Sequence, residues 1–524
     1  MKPLINFKTT IPLILIPLRL ACFGLAPMAK AVGPDTDGTI PGSNNGEGIG
    51  VLVSRTGGIW NTGTGFEALK HLTAGNQNTA TGLRALTSDI NGGFNTATGV
   101  FSLFSNTSGF FNSATGAYSL ANNISGTQNT ANGYAALYRN TADGNTATGF
   151  AALYHNTTGQ GNTAIGTDAL LDNATGSFCT ATGFGALVNN NTNGNTANGA
   201  LALQNNTTGF GNTGIGGQAL QSNQGGSNNT ATGFQALLFN TANNNTAHGY
   251  QALLSNTTGN SNTAIGVGAL ANSNTSNNTA TGFEALNNAT GPSNTAYGFS
   301  ALFNDSTGSF NTATGFNALL NNTIGSENVA LGDGAGLSVT TATNVICIGA
   351  GVAGENVSNS CYIGSIFGQT SAIGIPVLIN SNNKLGTIIS SKRFKDEIKP
   401  MDKASEPLLA LKPVTFRYKK EIDPAGTSQF GLVAEDVEAV NPDLVVRDKE
   451  GKPYSVRYDQ VNAMLLNEFL KAHRKAQQQE ATITELKRGI EVLTAQLKEQ
   501  AAQIQKVSAQ LEVTKAAPRT VLNK

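Results

Sequence analysis

The sequence predicts a mainly β protein: a parallel β-solenoid or β-roll of 16–17-residue coils, then a small α+β domain that ends in a coiled coil. Three observations predict it. A nine-residue pattern recurs through more than half of the chain, the charged residues concentrate after Lys384, and the C-terminal segment carries a heptad pattern. Only 12% of the 524 residues are charged, about half of the usual ~25%.

The N-terminus has the pattern of a secretory signal peptide over residues 1–31. Lys2 and Lys8 give a positive start, an apolar run extends from Ile11 to Pro27, and Ala29-Lys30-Ala31 supplies the small residues that a signal peptidase needs. The run is short for a membrane span, which needs ~20 apolar residues. We therefore expect an exported protein, extracellular or on the cell surface, with no transmembrane segment in the mature chain. Residues 32–60 form an N-terminal segment.

The repeat has the pattern Asn-Thr-Ala-Thr-Gly-Phe-x-Ala-Leu, and positions are counted from its first Asn, as one, to the end of the 16- or 17-residue coil. Successive copies begin 16 or 17 residues apart, which indicates stacked structural units. The first positions of the sixteen copies are Asn61, Asn78, Asn95, Asn112, Asn129, Asn145, Asn162, Cys179, Asn195, Asn212, Asn229, Asn245, Asn262, Asn278, Asn294 and Asn311.

The columns of the repeat predict one coil per copy over residues 61–349. The third position is always Ala or Gly, which indicates a close approach of backbones, and the fifth is always Gly, which suits a positive φ. The ninth is always Leu, as expected of a stacked apolar core. We expect a short strand, then a bend that carries Phe and Leu inward, then a turn such as residues 156–159.

The size and charge of the coils bear on their partners. A coil of 16 or 17 residues encloses little apolar volume, so several chains packed side by side would be favoured, and a homotrimer is predicted. The sixth-position aromatic residues offer a surface for that packing: Phe66, Phe150, Phe184, Phe234 and Phe316. The formal net charge is zero, which gives no reason to expect nucleic acid as a partner.

Two strands resemble the Asn/Ser-x-Ala-Ile-Gly strands in the heads of trimeric autotransporter adhesins: Asn162–Gly166 and Asn262–Gly266. The resemblance implies a parallel β-roll and a surface fibre, often adhesive, although the period here is longer. The ligand would be a surface glycan or protein. An ice-binding or glycan-binding solenoid is a further alternative, and ice binding is considered because Thr recurs at positions two and four. Residues such as Ile165, His248 and Tyr297 interrupt that ladder.

The composition changes after the repeats. Residues 350–389 form a predicted neck or linker, strand candidates follow at residues 414–418, 431–437, 444–446 and 454–458, and a helical pattern begins at Val461. Residues 471–515 predict a coiled coil. Pro518 ends the helix, and residues 516–524 are predicted to form a disordered tail. Positions a are Ile483, Ile490, Leu497, Ile504 and Leu511, and positions d are Leu486, Leu493, Gln500 and Val507.

Residues 390–470 resemble the self-cleaving intramolecular chaperone domain of phage endosialidases and tail fibres. Three motifs carry the resemblance: Ser390-Ser-Lys-Arg-Phe-Lys395, Gly431-Leu-Val-Ala-Glu-Asp-Val437, and the segment that begins at Tyr458-Asp-Gln-Val. The resemblance implies a trimer that templates fibre assembly and then cleaves itself off. The scissile bond would be Ile389–Ser390, with Ser390 as nucleophile and Lys395 as base. Ser391 stands where the family usually has Asp.

From spacing alone, Ser390 would be a linker residue and Lys395 a solvated charge. A non-cleaving structural repeat protein, whose chaperone stays attached, is therefore the first alternative. The histidines are scattered and the cysteines lack metal-ligand spacing, so no cofactor or metal is predicted. Cys347 and Cys361 either pair or serve as small buried apolar residues.

Overall fold

The computed structural model describes residues 43–369 and 375–515. The chain divides into two units, residues 1–369 and 370–524. The predicted signal peptide and the predicted C-terminal tail lie outside the described residues. The first unit is a solenoid, and the second is a small domain with a long helix.

The solenoid is a parallel stack of twenty short strands, each paired with the next along the chain. Equivalent residues pair, for example Thr79 with Thr96 and Ala80 with Ala97. The predicted parallel solenoid is thereby confirmed, and its strands extend beyond residues 61–349 at both ends. Strands β1–β20 are Asn45–Glu47, Thr62–Thr64, Thr79–Thr81, Thr96–Thr98, Ser113–Thr115, Thr130–Asn132, Thr146–Thr148, Thr163–Ile165, Thr180–Thr182, Thr196–Asn198, Thr213–Ile215, Thr230–Thr232, Thr246–His248, Thr263–Ile265, Thr279–Thr281, Thr295–Tyr297, Thr312–Thr314, Val329–Leu331, Val345–Ile348 and Ser360–Ile363.

Each coil buries the same small set of side chains within one chain. The third, eighth and ninth positions point inward, as Ala97, Ser102 and Leu103 do, and the second and fourth positions point outward. The expected Leu ladder is confirmed, but the expectation that the bend carries Phe inward is wrong. The five named sixth-position phenylalanines are 43–58% exposed, because the stacked Ala and Leu side chains already fill the narrow interior.

The fifth-position glycine is required by its neighbour in the next coil. Gly233 has a φ of 133°, and a Cβ there would lie 2.4 Å from the carbonyl oxygen of Gly249. An L side chain at this position therefore meets both an unfavourable backbone angle and a steric clash. This geometry explains why the column contains no other residue.

Two columns of buried asparagine, the amide ladders, were missed by sequence reasoning. At position one, the Oδ1 atom of Asn61 accepts the N–H of Asn78 at 2.9 Å, and its Nδ2 donates to the carbonyl of Gly75 at 2.9 Å. At position twelve, the Nδ2 atom of Asn173 donates to the Oδ1 of Asn156 at 3.1 Å. Asn156 begins the turn predicted over residues 156–159. It is fully buried.

The second unit consists of short hairpins and one long helix. The expectation of a strand over residues 431–437 is wrong, because the strand ends at Gly431 and a helix begins at Ala434. Antiparallel pairs are formed by β21 with β22, β23 with β24, and β25 with β26. The elements are β21 Val377–Ile379, β22 Leu385–Thr387, 3-10 helices Lys392–Phe394 and Asp402–Ala410, β23 Val414–Phe416, β24 Gln429–Gly431, α1 Ala434–Val440, a 3-10 helix Pro442–Leu444, β25 Val445–Arg447, β26 Pro453–Val456 and α2 Tyr458–Lys515.

The core of this unit is small compared with its exposed apolar surface. Five side chains form its centre: Val437, Leu444, Val445, Val456 and Met464. Along the 58-residue helix α2, every predicted apolar a and d residue is at least half exposed. Among the described residues, no helix has the length and apolar character needed to span a membrane.

Candidate processing site

Ser390 and Lys395 are brought together by a single 3-10 turn. Ser390 follows β22, and the N–H groups of Phe394 and Lys395 donate to the carbonyls of Ser391 and Lys392, both at 3.1 Å. This turn directs the Lys395 side chain back along the chain. Its Nζ atom donates to Ser390 Oγ at 3.3 Å, just beyond the ~2.6–3.2 Å over which a base takes a proton.

Both side chains lie on the surface of the described chain. Ile389, Ser390 and Lys395 are all exposed, and the guanidinium carbon of Arg393 stands 4.5 Å above the ring centroid of Phe394 beside them. A lysine acts as a general base only when its amine is neutral, and burial is the usual means to that state. A single chain therefore supplies the pair of groups but does not bury them.

The second and third motifs meet in the fold. The Tyr458 hydroxyl oxygen at the start of α2 accepts the N–H of Leu432 at 3.0 Å. Gly431 lies beneath it, where a Cβ would approach the Tyr458 hydroxyl to 3.0 Å and the Phe416 ring to 3.1 Å. A Cβ at Gly431 would therefore push the Tyr458 and Phe416 side chains aside by a few tenths of an ångström. The hydrogen bond from Leu432 to Tyr458 joins the end of β24 to the long helix.

Residues 390–446 match the chaperone of endosialidase family. The chaperone of endosialidase match begins at Ser390 and includes Lys395 and Gly431, and it indicates a fibre-like protein with a C-terminal chaperone. No curated protein matches the chain. The likeness of the repeats to adhesin heads stays a prediction.

A buried hydroxyl anchors the chaperone of endosialidase segment to α2, and sequence reasoning missed it. Ser405 is fully buried. Its Oγ atom accepts from Asn467 Nδ2 at 2.6 Å and lies 2.5 Å from Glu468 Oε1. Hydrogen bonds from Lys471 and Ser405 lower the pKa of the Glu468 carboxyl. Residues more than sixty positions apart are involved, so local sequence patterns carry no signal for the network.

The outward-facing threonines of the solenoid bear on the ice-binding alternative. Thr side chains at positions two and four point outward, but exposed Ile165, Ile265 and Tyr297 interrupt them. Among the described residues the three cysteines are free. In the pairing of β19 with β20, Cys347 lies opposite Tyr362 rather than Cys361. Of these two cysteines Cys347 is buried and Cys361 is exposed.

Proposed function

We propose that the protein is a secreted or surface homotrimeric fibre whose C-terminal segment aligns three chains and then cleaves the Ile389–Ser390 bond. The solenoid forms the fibre, and residues 390–470 with the coiled coil form the assembly module. The observation that carries the proposal is the exposed heptad seam of α2, which follows directly on a segment that matches a chaperone family.

The exposed apolar surface of the second unit supports assembly with other copies. Isolated helices gain most of their stability from packing of an apolar face, and the α2 seam has no partner within the described chain. A second surface is the cleft of ≈ 610 Å³ beside β23 and α2, whose lining includes Leu411, Val414 and Phe430. Phe430 is 83% exposed. We assign both surfaces to contacts between copies.

The proposed cleavage is a single turnover. Ser390 Oγ attacks the carbonyl carbon of Ile389 while the Lys395 amine takes its proton. The C–N bond breaks, the Ser390 nitrogen receives a proton, and an ester joins Ile389 to Ser390 Oγ. Water then hydrolyses the ester and releases a carboxylate at Ile389. Because the single chain leaves both groups exposed, we expect burial by neighbouring copies to activate Lys395, so that cleavage follows trimer assembly.

Intact mass of the full chain tests the cleavage. We expect wild-type protein to yield a fragment that begins at Ser390, and we expect Ser390→Ala and Lys395→Ala to remain uncut. Ser391→Ala is the matched control, since this neighbouring serine has no role in the proposal, and it should be cut as wild type is. Cleavage of Ser390→Ala at the same bond would contradict the assignment.

A fibre whose chaperone stays attached is the alternative. It predicts one full-length species for the wild type and for all three variants, with the trimer intact by sedimentation. The same pair of measurements therefore separates assembly from processing.

A further inference from the structure

One exposed phenylalanine stands apart from the other aromatic residues of the solenoid. The residue immediately before position one is here named the corner position, and in the coil that begins at Cys179 it is Phe178. Its side chain is 69% exposed. In the two coils before it and the two coils after it the corner residue is glycine: Gly144, Gly161, Gly194 and Gly211.

The backbone does not require these glycines. The corner has a left-handed φ throughout, 57° at Phe178 and 70° at Gly194, yet Trp60, Phe94 and Asn228 adopt it at 56–60°. What the glycines change is the space around the ring. The Phe178 ring lies against Gly161, where a Cβ would approach it to 2.9 Å. On the other side Gly194 offers no side chain to cover the ring, and a Cβ built on Gly194 has no atom within 4 Å.

Two other corner aromatics cover each other. Phe94 and Phe111 occupy successive corners and stack with ring centroids 4.9 Å apart and planes inclined by 19°. Rings at the sixth position stack in the same way, as Phe283 does on Phe299 at 5.0 Å. Among the described residues Phe178 has no ring partner. The ring face that a stacking partner covers in those pairs has no ring against it in Phe178.

Phe178 forms one wall of an open cleft of ≈ 660 Å³. Phe210, which is 54% exposed, lies about two coils further on, or roughly 10 Å along the stack at ~4.8 Å per strand. The floor between them consists of small and polar residues. The lining residues are Thr175, Phe178, Asn191, Thr192, Asn193, Gly194, Phe210 and Gly211.

Two amides in the cleft are held in place with their donors free. Asn191 Oδ1 accepts the N–H of Ala174 and Asn193 Oδ1 accepts the N–H of Ser177, each at 2.8 Å. Neither Nδ2 atom has a hydrogen-bond partner among the described residues, so two amide donors are oriented and available. No charged residue lines the cleft.

We propose that this corner cleft binds a neutral pyranose unit of a glycan. The C–H face of a pyranose is flat and apolar and would stack on the free face of Phe178. Its hydroxyl oxygens would accept from the two Nδ2 groups, and the absence of charge in the cleft favours an uncharged sugar. The inference goes beyond the proposed assembly and cleavage and does not depend on either.

The test measures binding of neutral hexasaccharides to the full-length wild-type protein. Cellohexaose, maltohexaose, mannohexaose and xylohexaose are the probes, titrated by calorimetry and examined by saturation-transfer NMR. Oligosialic acid is the charged comparator. We expect at least one neutral probe to bind with a Kd below about 10 mM. We also expect saturation to pass to the sugar from Phe ring protons.

Two variants locate the site. Phe178→Ala removes the platform, and Gly194→Phe fills the open position with a ring that should stack on Phe178 as Phe111 stacks on Phe94. Each should weaken binding about ten-fold or more. Phe310→Ala is the matched control, because Phe310 is a corner phenylalanine with 63% exposure and non-glycine neighbours. It should bind as wild type does.

Gly194→Phe also guards against a folding artefact, since the corner already accepts phenylalanine, and its circular dichroism should match wild type. The proposal would be overturned by the absence of binding of any neutral probe to the wild type, by unchanged binding to Gly194→Phe, or by binding of the acidic comparator alone. Dissociation of the oligomer in Phe178→Ala would also overturn it, by showing that the cleft is a contact between copies.

Discussion

The two units differ in where their apolar side chains go. In the solenoid, each coil buries two small residues and a leucine, and these join in one continuous core within a single chain. In the C-terminal unit, five buried side chains form the centre, whereas the apolar seam of α2 is exposed along its length. The solenoid thus completes its core without a partner, and the C-terminal unit does not.

This difference changes the reason for expecting an oligomer. The sequence predicts that thin coils need neighbouring chains, because each coil encloses little apolar volume. The amide ladders also stabilise the solenoid, since buried asparagine side chains form hydrogen bonds within each coil and to the next coil. The case for several chains therefore rests on the C-terminal unit.

The largest effect is expected from a charge in the α2 seam. Leu493→Lys places an ammonium group at a d position, where a coiled coil would bury one per chain. Burial of an unpaired charge costs several kcal/mol, so we expect the trimer to dissociate, with a loss of more than about 5 kcal/mol per assembly. Sedimentation equilibrium measures the change in the equilibrium between trimer and monomer.

The matched control for the seam is Ala495→Lys, which puts the same charge at the outward f position. It should remain trimeric. The solenoid of Leu493→Lys should keep its thermal unfolding midpoint, because its core closes within one chain. A trimer that survives Leu493→Lys, or a solenoid that melts with it, would remove the distinction between the units.

A large effect confined to the solenoid is expected from Gly233→Ala. The new Cβ would lie 2.4 Å from the Gly249 carbonyl oxygen, at a φ of 133°. Overpacking and backbone strain together should cost roughly 3–5 kcal/mol, measured by urea unfolding. Gly334→Gln is the control, because a Cβ at Gly334 has no atom within 4 Å and Gln occupies the equivalent place as Gln235. Equal loss in both variants would contradict the steric explanation.

The sequence was sufficient for the solenoid because each coil repeats one set of constraints. Glycine at position five and leucine at position nine indicated their environments directly, and the seam of α2 followed from its heptads. The direction of the sixth-position side chain could not be predicted, because an aromatic residue after a glycine bend can face either the interior of the coil or the solvent. The amide ladders were missed because buried and turn asparagines look alike in a sequence. Ser390 and Lys395 were paired only through family resemblance.

A pH-dependent effect is expected from Asp305, which occupies position twelve of the second amide ladder. Asp305 is fully buried, and its oxygens accept from Asn322 at 2.9 Å and Asn294 at 3.1 Å. Burial raises the pKa of this carboxyl from 3.8 to about 7. The folded state then holds a proton that the unfolded chain has lost, so stability is complete below pH 3.8 and falls as the pH rises to about 7.

Asp305→Asn should remove this contribution to the pH dependence. The pKa difference corresponds to roughly 4 kcal/mol, so we expect the variant to exceed wild type in unfolding free energy at pH 8 by a few kcal/mol. The gain should shrink as the pH is lowered to about 4. Urea unfolding at the two pH values measures it, and a gain that is larger at pH 4 than at pH 8 would reverse the sign and refute the explanation.

The smallest effect is expected at Cys179, the one exception at position one of the repeat copies. The Asn195 N–H there meets the Cys179 sulfur, a weak acceptor, where other coils offer an amide oxygen. Cys179→Asn should restore the ladder, with Nδ2 placed to donate to the Thr192 carbonyl that the thiol now contacts at 3.1 Å. One regained hydrogen bond should add about 1 kcal/mol to the unfolding free energy. Cys361→Asn, at an exposed site, should change it little. If Cys179→Asn destabilises the solenoid instead, shape rather than hydrogen bonding governs this column.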